Sequence, residues 1–442
     1  MKTFKFPDTF LFGSATAATQ IEGGDKNNNW YEWCKKGKIK DCSTTLRADD
    51  HWNRYREDVE LLSRLNQKVY RMGLEWSRIE PEKGRFDHSA ILHYRDEITL
   101  LRKKGIKPLV TLHHFTHPLW LSREGDFENP KVVEYFKKYV TYVVENIGDL
   151  VEEYITVNEP NVYIANGFFD GSWPPGKKSL RLAFKVLGNM AACHIEGYKL
   201  IHQIRKEKGY PGKTMVGVAN HMRNFAPHSR HNPFDVLLTR LVEYLFQDSM
   251  IQLMTRGHLG FPASLFVRRC PKGEYCDFIG INYYTRSTVH FIGMKDEVPA
   301  GSPKNDLGWE IYPKGLVELC EESYRKYRLP VWITENGICD NNDSKRVRFI
   351  YDQLAELSQA IENGIPIQRY YHWSLMDNFE WLEGEAARFG LIHVDYDTQK
   401  RTIKRSGQFY GELIKNRGVS RELLQKYGLL KTAHRKPAKS HS

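Results

Sequence analysis

The stretch Val331-Trp-Ile-Thr-Glu335-Asn336-Gly337 is a short apolar, β-branched run that ends on a carboxylate, an amide and a glycine. Such a run, bounded by a turn residue, reads as a buried strand with polar groups at its C-terminal end. A second stretch has the same form: Tyr154-Ile-Thr-Val-Asn158-Glu159-Pro160. Similar runs recur along the chain, giving candidate strands at 11–15, 68–74, 107–113, 153–157, 214–220, 277–282, 330–334 and 369–374. Helix-period segments lie between them. Trp52, Tyr55, Val59, Leu62 and Leu65 share one stripe over 52–67, and Val347, Ile350, Leu354, Leu357 and Ile361 share another over 342–363. Strands alternating with helices predict a parallel α/β fold. Eight of them predict a single closed (β/α)₈ barrel, for which 442 residues is an ordinary length. An open doubly wound sheet is the rival, but no G-x-G-x-x-G or phosphate loop follows the first strand.

A barrel places its chemistry where the strands end, at the C-terminal face. Those positions hold Gln20, Arg71, His113 and His114, then Asn158 and Glu159, Asn282, Tyr283 and Tyr284, Glu335 and Asn336, and Trp373. The set is rich in carboxylates, amides and aromatic rings, which are the groups that bind and cleave sugars. One carboxylate at a strand end is as easily a surface charge. Two, each beside an Asn and closed by Pro or Gly, match what glycosidic cleavage requires: a proton donor for the leaving oxygen and an anion against the oxocarbenium-like charge. The acid must hold its proton while its partner stays ionised. Arg71 and Tyr284 are candidates to keep Glu335 anionic, by charge and by hydrogen bonding.

Composition narrows the alternatives. The 10 Trp, 24 Tyr and 22 Phe supply rings for stacking or for the core. Net charge is +11, but residues 415–442 hold eight Lys/Arg against one Glu and leave the remainder at +4. A near-neutral body argues against a nucleic-acid groove. Seven cysteines with no C-x-x-C pair indicate neither a disulfide framework nor a zinc knuckle. With no signal-like N-terminus and no apolar run long enough to span a membrane, a cytoplasmic protein is expected. His113, His114 and His117 form an H-H-x-x-H group, but after a strand and without the H-E-x-x-H glutamate, so no metal is expected. The domain reading is a barrel over 1–415 and a basic tail over 416–442, with a short helix at 421–430 and disorder over 432–442. Two loops, 167–176 and 293–309, read as rim segments; for the first, a rigid turn without a substrate role is an equal alternative.

The ordered segments Gln20-Ile-Glu-Gly23, Glu75-Trp-Ser-Arg-Ile79, Thr111-Leu-His-His114, Thr156-Val-Asn-Glu-Pro160, Ile281-Asn-Tyr-Tyr284, Ile333-Thr-Glu-Asn-Gly337 and Trp373-Ser-Leu-Met-Asp-Asn-Phe-Glu-Trp381 resemble glycoside hydrolase family 1. The resemblance runs over roughly residues 4 to 415. It implies a (β/α)₈ barrel that cleaves small β-glycosides or short oligosaccharides with retention and needs no cofactor. Glu159 would be the acid/base and Glu335 the nucleophile. Asn158 would hold the sugar 2-hydroxyl, and Gln20, His114, Glu380 and Trp381 the 3-, 4- and 6-hydroxyls. Trp373 would be the stacking floor, Tyr284 and Arg71 would position the nucleophile, and Asn282 would assist. Glucose, galactose and fucose all fit this set. A mainly transglycosylating enzyme and a non-catalytic sugar-binding barrel are the other readings. Phe115 departs from the family's usual Trp, His113 from an aromatic, and Ala387 from a polar residue. With Glu380, Ala387 and Phe389 where a phosphate clamp would stand, 6-phosphoglycosides are not expected. Glu159 itself argues against a thioglucosidase, which carries Gln there.

Overall fold

In the computed structural model, which describes residues 1–261, 263–267, 269–292 and 295–430, eight parallel strands close on themselves. They are β1 (Leu11–Ala15), β2 (Val69–Gly73), β3 (Lys107–Thr111), β4 (Glu153–Asn158), β5 (Met215–Pro227), β6 (Ile279–His290), β7 (Val331–Asn336) and β8 (Ile367–Trp373). Each pairs with its successor, and β8 returns to β1 with Arg369 opposite Leu11 and Trp373 opposite Ala15. The expected (β/α)₈ barrel is present. Because helices cover the outside and side chains fill the inside, strands such as β2, β4 and β7 are buried at every position.

The helical stripes fall where expected, over His51–Arg64 and Arg346–Glu362. The longest helix, Leu180–Glu207, starts at Ser179, whose hydroxyl accepts the Leu182 N–H. Strands β5 and β6 run well past their sequence reading. Above the barrel they continue side by side from Asn224 opposite Arg286 to Pro227 opposite Val289, beyond a register shift. Polar residues such as Arg223, Asn224, Arg286 and Ser287 interrupt the apolar pattern there, so an apolar run ends before the strand does.

The opposite face of the barrel is closed by charge. Arg369 Nη2 donates to Glu153 Oε1 at 2.5 Å and Lys107 Nζ lies 2.6 Å from the same atom, all three near strand beginnings. Phe4–Lys5 pairs antiparallel with Gly418–Val419. The helix read at 421–430 covers Arg421–Lys426 and buries Leu423 and Leu424; the segment read as disordered lies outside the described residues. Among the described residues no helix is long and apolar enough to cross a membrane.

Candidate active site

Glu335, at the C-terminal end of β7, is almost wholly buried and receives two donors. Arg71 Nη1 donates to its Oε1 at 2.5 Å, and the Tyr284 hydroxyl donates to its Oε2 at 2.5 Å. Arg71 itself cannot move freely, because it also donates to Thr334 O, Thr111 Oγ1 and Asn158 Oδ1 at 3.1, 3.1 and 2.6 Å. A fully buried guanidinium is tolerated here because its N–H groups find acceptors.

Glu159 follows β4 on a left-handed residue (φ 41°), and Pro160 then starts the helix Pro160–Ile164. That backbone turn, unusual for a side chain with a Cβ, aims the carboxylate into the mouth of the barrel. Asn282 Nδ2 donates to Glu159 Oε1 at 2.8 Å and to Asn158 Oδ1 at 3.1 Å. The Asn282 carbonyl is fixed in turn by the Thr334 hydroxyl at 2.6 Å. A second neighbour of Glu159 comes from β5: His221 Nδ1 lies 3.2 Å from the same Oε1. Arg223 Nε donates to His221 Nε2 at 3.2 Å, which makes Nε2 the acceptor and leaves the proton on Nδ1, pointing at Glu159.

The carboxylates are poised by competing effects. Burial pushes Glu335 up to about 7; Arg71 and the Tyr284 hydrogen bond oppose the rise, and the Glu159 charge adds to it. Burial likewise lifts Glu380 to about 8. His114 is pushed well down, by burial first and then by Arg71, so its ring is neutral.

Above the two glutamates is a cavity of about 200 Å³. Glu380 Oε2 lies 3.4 Å from both Gln20 Nε2 and Trp373 Nε1. Gln20 Oε1 is buried without a protein partner. Asn158 Nδ2 donates to His114 Nε2 at 2.9 Å, which leaves the proton on His114 Nδ1, also without a protein partner. One acceptor and one donor are thus open to a ligand. His114 stacks near Trp373 and Trp381, with ring centroids 5.9 Å from each. The eleven residues to which the family resemblance gave roles meet at this mouth. His113 and His117 do not: His113 packs against Phe127, and His117 Nε2 contacts Ser122 Oγ at 3.0 Å.

The sequence model of "Glycosyl hydrolase family 1" matches residues 2–419. The chain belongs to glycosyl hydrolase family 1. It is 33% identical over 457 residues to Beta-glucosidase A of Thermotoga maritima, covering 95% of this chain and all of that protein. It is 29% identical to the Beta-galactosidase of Saccharolobus solfataricus, over 95% of this chain and 97% of that one. Among solved structures, a β-glycosidase from Pyrococcus horikoshii superposes with a TM-score of 0.88 at 36% identity, over 97% of this chain and 99% of that one. The Thermotoga maritima β-glucosidase in complex with glucoimidazole gives 0.88 at 32% identity, over 94% and 100%. This family 1 member is a β-glucosidase-like glycoside hydrolase.

Several wall residues of the family 1 site were not singled out by sequence. Trp173 lines the cavity and packs edge-on to Phe115 at 4.9 Å, which favours the substrate-facing reading of the 167–176 loop. Trp309 and Phe246 complete the aromatic wall, together with Phe389, which the sequence places at the clamp position; of the loop read at 293–309, residues 293 and 294 lie outside the described residues. His221 and Arg223 also line it, and a signal existed for them, because His221 directly follows the expected strand end at Asn220. In the segment 380–390 the one basic side chain turns away: Arg388 Nη1 donates to Val394 O at 2.9 Å.

Proposed function

We propose that this family 1 hydrolase removes terminal β-D-glucosyl residues, and β-galactosyl or β-fucosyl residues through the same pocket, with Glu335 as nucleophile and Glu159 as acid/base. One observation carries the assignment: the two carboxylates share a cavity but not a class of donor. Glu335 faces a cation and a phenol, each at 2.5 Å, whereas Glu159 faces an amide and a neutral imidazole donor, both on Oε1. When the pair holds one proton, charge places the anion on Glu335 and the proton on Glu159. With Oε1 occupied by two donors, that proton belongs on Oε2.

Glu335 then attacks the anomeric carbon while Glu159 protonates the departing oxygen; a glycosyl-enzyme ester forms and the glycosidic bond breaks. In the second step Glu159 takes a proton from water, which displaces Glu335 with overall retention. Asn158 serves the 2-hydroxyl, Gln20, His114, Glu380 and Trp381 the remaining hydroxyls, and Trp373 the apolar face of the ring. A cavity near 200 Å³, below the roughly 300–1,000 Å³ of drug-sized sites, supports recognition of one terminal sugar. Cys34, Cys42, Cys276, Cys320 and Cys339 are thiols outside any disulfide, which supports a cytoplasmic setting.

The test separates the two glutamates. Glu335→Ala should abolish turnover of every glycoside, and azide should then yield the inverted α-azide. Glu159→Ala should keep its first step with aryl leaving groups, which need little protonation, and azide should restore turnover as the retained β-azide. The same azide anomer from both variants would reverse or remove the assignment, and release of the α-sugar by the wild type would exclude retention.

A further inference from the structure

In the mechanism proposed above Glu159 must hold a proton in the first step and be without one in the second, when it takes a proton from water. The titratable groups that feel the Glu159 charge are Glu335 on β7, Glu380 after β8 and Tyr284 on β6. All three are acids, so none brings a positive charge to offset it. Two N–H donors reach Glu159 instead, Asn282 Nδ2 at 2.8 Å and His221 Nδ1 at 3.2 Å, both on Oε1. Their residues stand side by side on paired strands, His221 of β5 opposite Asn282 of β6.

His221 is fixed from both ends. Its backbone oxygen accepts from Asn161 Nδ2 at 2.8 Å, on the helix that follows Glu159. Its Nε2 accepts from Arg223 Nε at 3.2 Å. Arg223 is anchored in turn, its Nη1 donating to Ser287 Oγ at 3.1 Å and its backbone N–H to Gln247 Oε1 at 3.0 Å. With Nε2 engaged as an acceptor, the single proton of the neutral ring sits on Nδ1. A carboxylate accepts such a hydrogen bond roughly twice as strongly as a carboxylic acid does, so the donor favours the anionic form of Glu159.

We propose that His221 and Arg223 are positioning residues for the second half of the reaction: Arg223 fixes the imidazole as an Nδ1–H donor, and that donor supports Glu159 as the base that activates water. The inference rests on the assignment of Glu159 as acid/base. A neutral donor suits a group with two tasks. A cation in direct contact would hold Glu159 ionised through the first step as well and leave no acid for the departing oxygen.

The experiment compares His221→Asn with His221→Leu in the full chain. Both side chains branch at Cγ, and both lose the ring that lies near-parallel to Tyr284 at 6.0 Å; only Asn places an N–H where Nδ1 stood. Two pH profiles are recorded. One is kcat for a dinitrophenyl β-glucoside, whose leaving group departs so readily that breakdown of the glycosyl-enzyme limits the rate. The other is kcat/KM for methyl β-glucoside, whose poor leaving group needs the acid. In His221→Leu the acidic limb of the first and the basic limb of the second should both move up by about one pH unit, the difference between a hydrogen bond to a charged and to a neutral acceptor. Below the wild-type limb, kcat for the dinitrophenyl substrate should therefore fall about tenfold while its kcat/KM matches that of His221→Asn. His221→Asn should hold both limbs near their wild-type positions. Imidazole nitrogen NMR should find the His221 proton on Nδ1 in the wild type and lose that single tautomer in Arg223→Met, which decides the matter even if His221→Leu does not fold. Limbs that stay in place in His221→Leu, limbs that move equally in both variants, or a wild-type proton on Nε2 would overturn the proposal while leaving Glu159 in its role. Failure of azide to restore Glu159→Ala would instead remove the acid/base assignment and the proposal with it.

Discussion

Removing one hydroxyl, in Tyr284→Phe, tests the electrostatic logic of the site most directly. The Tyr284 oxygen donates to Glu335 Oε2 at 2.5 Å, and the ring packs near Trp309 and Phe389 at 6.0 and 6.3 Å. Phenylalanine keeps those ring contacts and loses only the donor. A hydrogen bond to a charged group contributes about 1.5–3 kcal/mol, and one pKa unit corresponds to about 1.36 kcal/mol. The lost donor had favoured the anion, so its removal raises the pKa of Glu335, by about one to two units. Because a nucleophile must be ionised, the acidic limb of kcat/KM should move up by the same amount. The assay is kcat/KM against pH with an aryl β-glucoside, whose good leaving group makes the rate insensitive to Glu159 as acid. At pH 7, where Glu335 is about half ionised in the wild type, the variant should lose about five- to fiftyfold, and that loss should return as pH rises. A limb that stays in place, with activity lowered equally at every pH, would refute this account of how Glu335 is held.

Gly337→Ala should damage the site from behind: an added Cβ would lie 1.9 Å from Trp373 O, a backbone atom that cannot turn aside, so the end of β8 must shift. With overpacking costing about 1–3 kcal/mol, kcat/KM should fall about tenfold or more with a lowered Tm, and an unchanged rate would show that β8 yields freely. A buried cation gives a second pH dependence. Burial opposes the charge of His51, but Glu97 and Asp58, at 3.0 and 2.8 Å, hold its pKa well above the ordinary value. Since the folded value exceeds the unfolded one near 6.5, this stabilisation is full below about pH 6.5 and is lost as pH climbs through the folded value. His51→Asn should cost about 3–5 kcal/mol at pH 6 in denaturant unfolding, and an equal loss at pH 6 and pH 10 would contradict the charge argument. Unphosphorylated β-glycosides should exceed their 6-phosphates in kcat/KM by at least about a hundredfold, because a phosphate beside Glu380 would meet no cation from the 380–390 segment, Arg388 being held by Val394 O; a preference for the phosphate would show the pocket misread.

The sequence by itself determined the barrel and most of the site, because both rest on local signals. A strand buried on both faces must be an apolar run, and the residues just past its end are set at the barrel mouth, so Glu335, Glu159, Asn282 and His114 could be read from strand ends alone. The signal failed where the rule behind it failed. Strands β5 and β6 continue above the barrel with polar residues, so the apolar run stopped at Asn220 and His221, one residue on, went unread. Other features had no local trace at all. That Asn282 and His221 serve Glu159 depends on which atoms meet across the barrel, and hydrogen bonds are decided by distances between segments far apart in the chain. The same is true of the sugar cavity, lined by both Val162 and Phe246, 84 positions apart in sequence. Periodicity records which face of a segment is buried; only the closed fold decides what it is buried against.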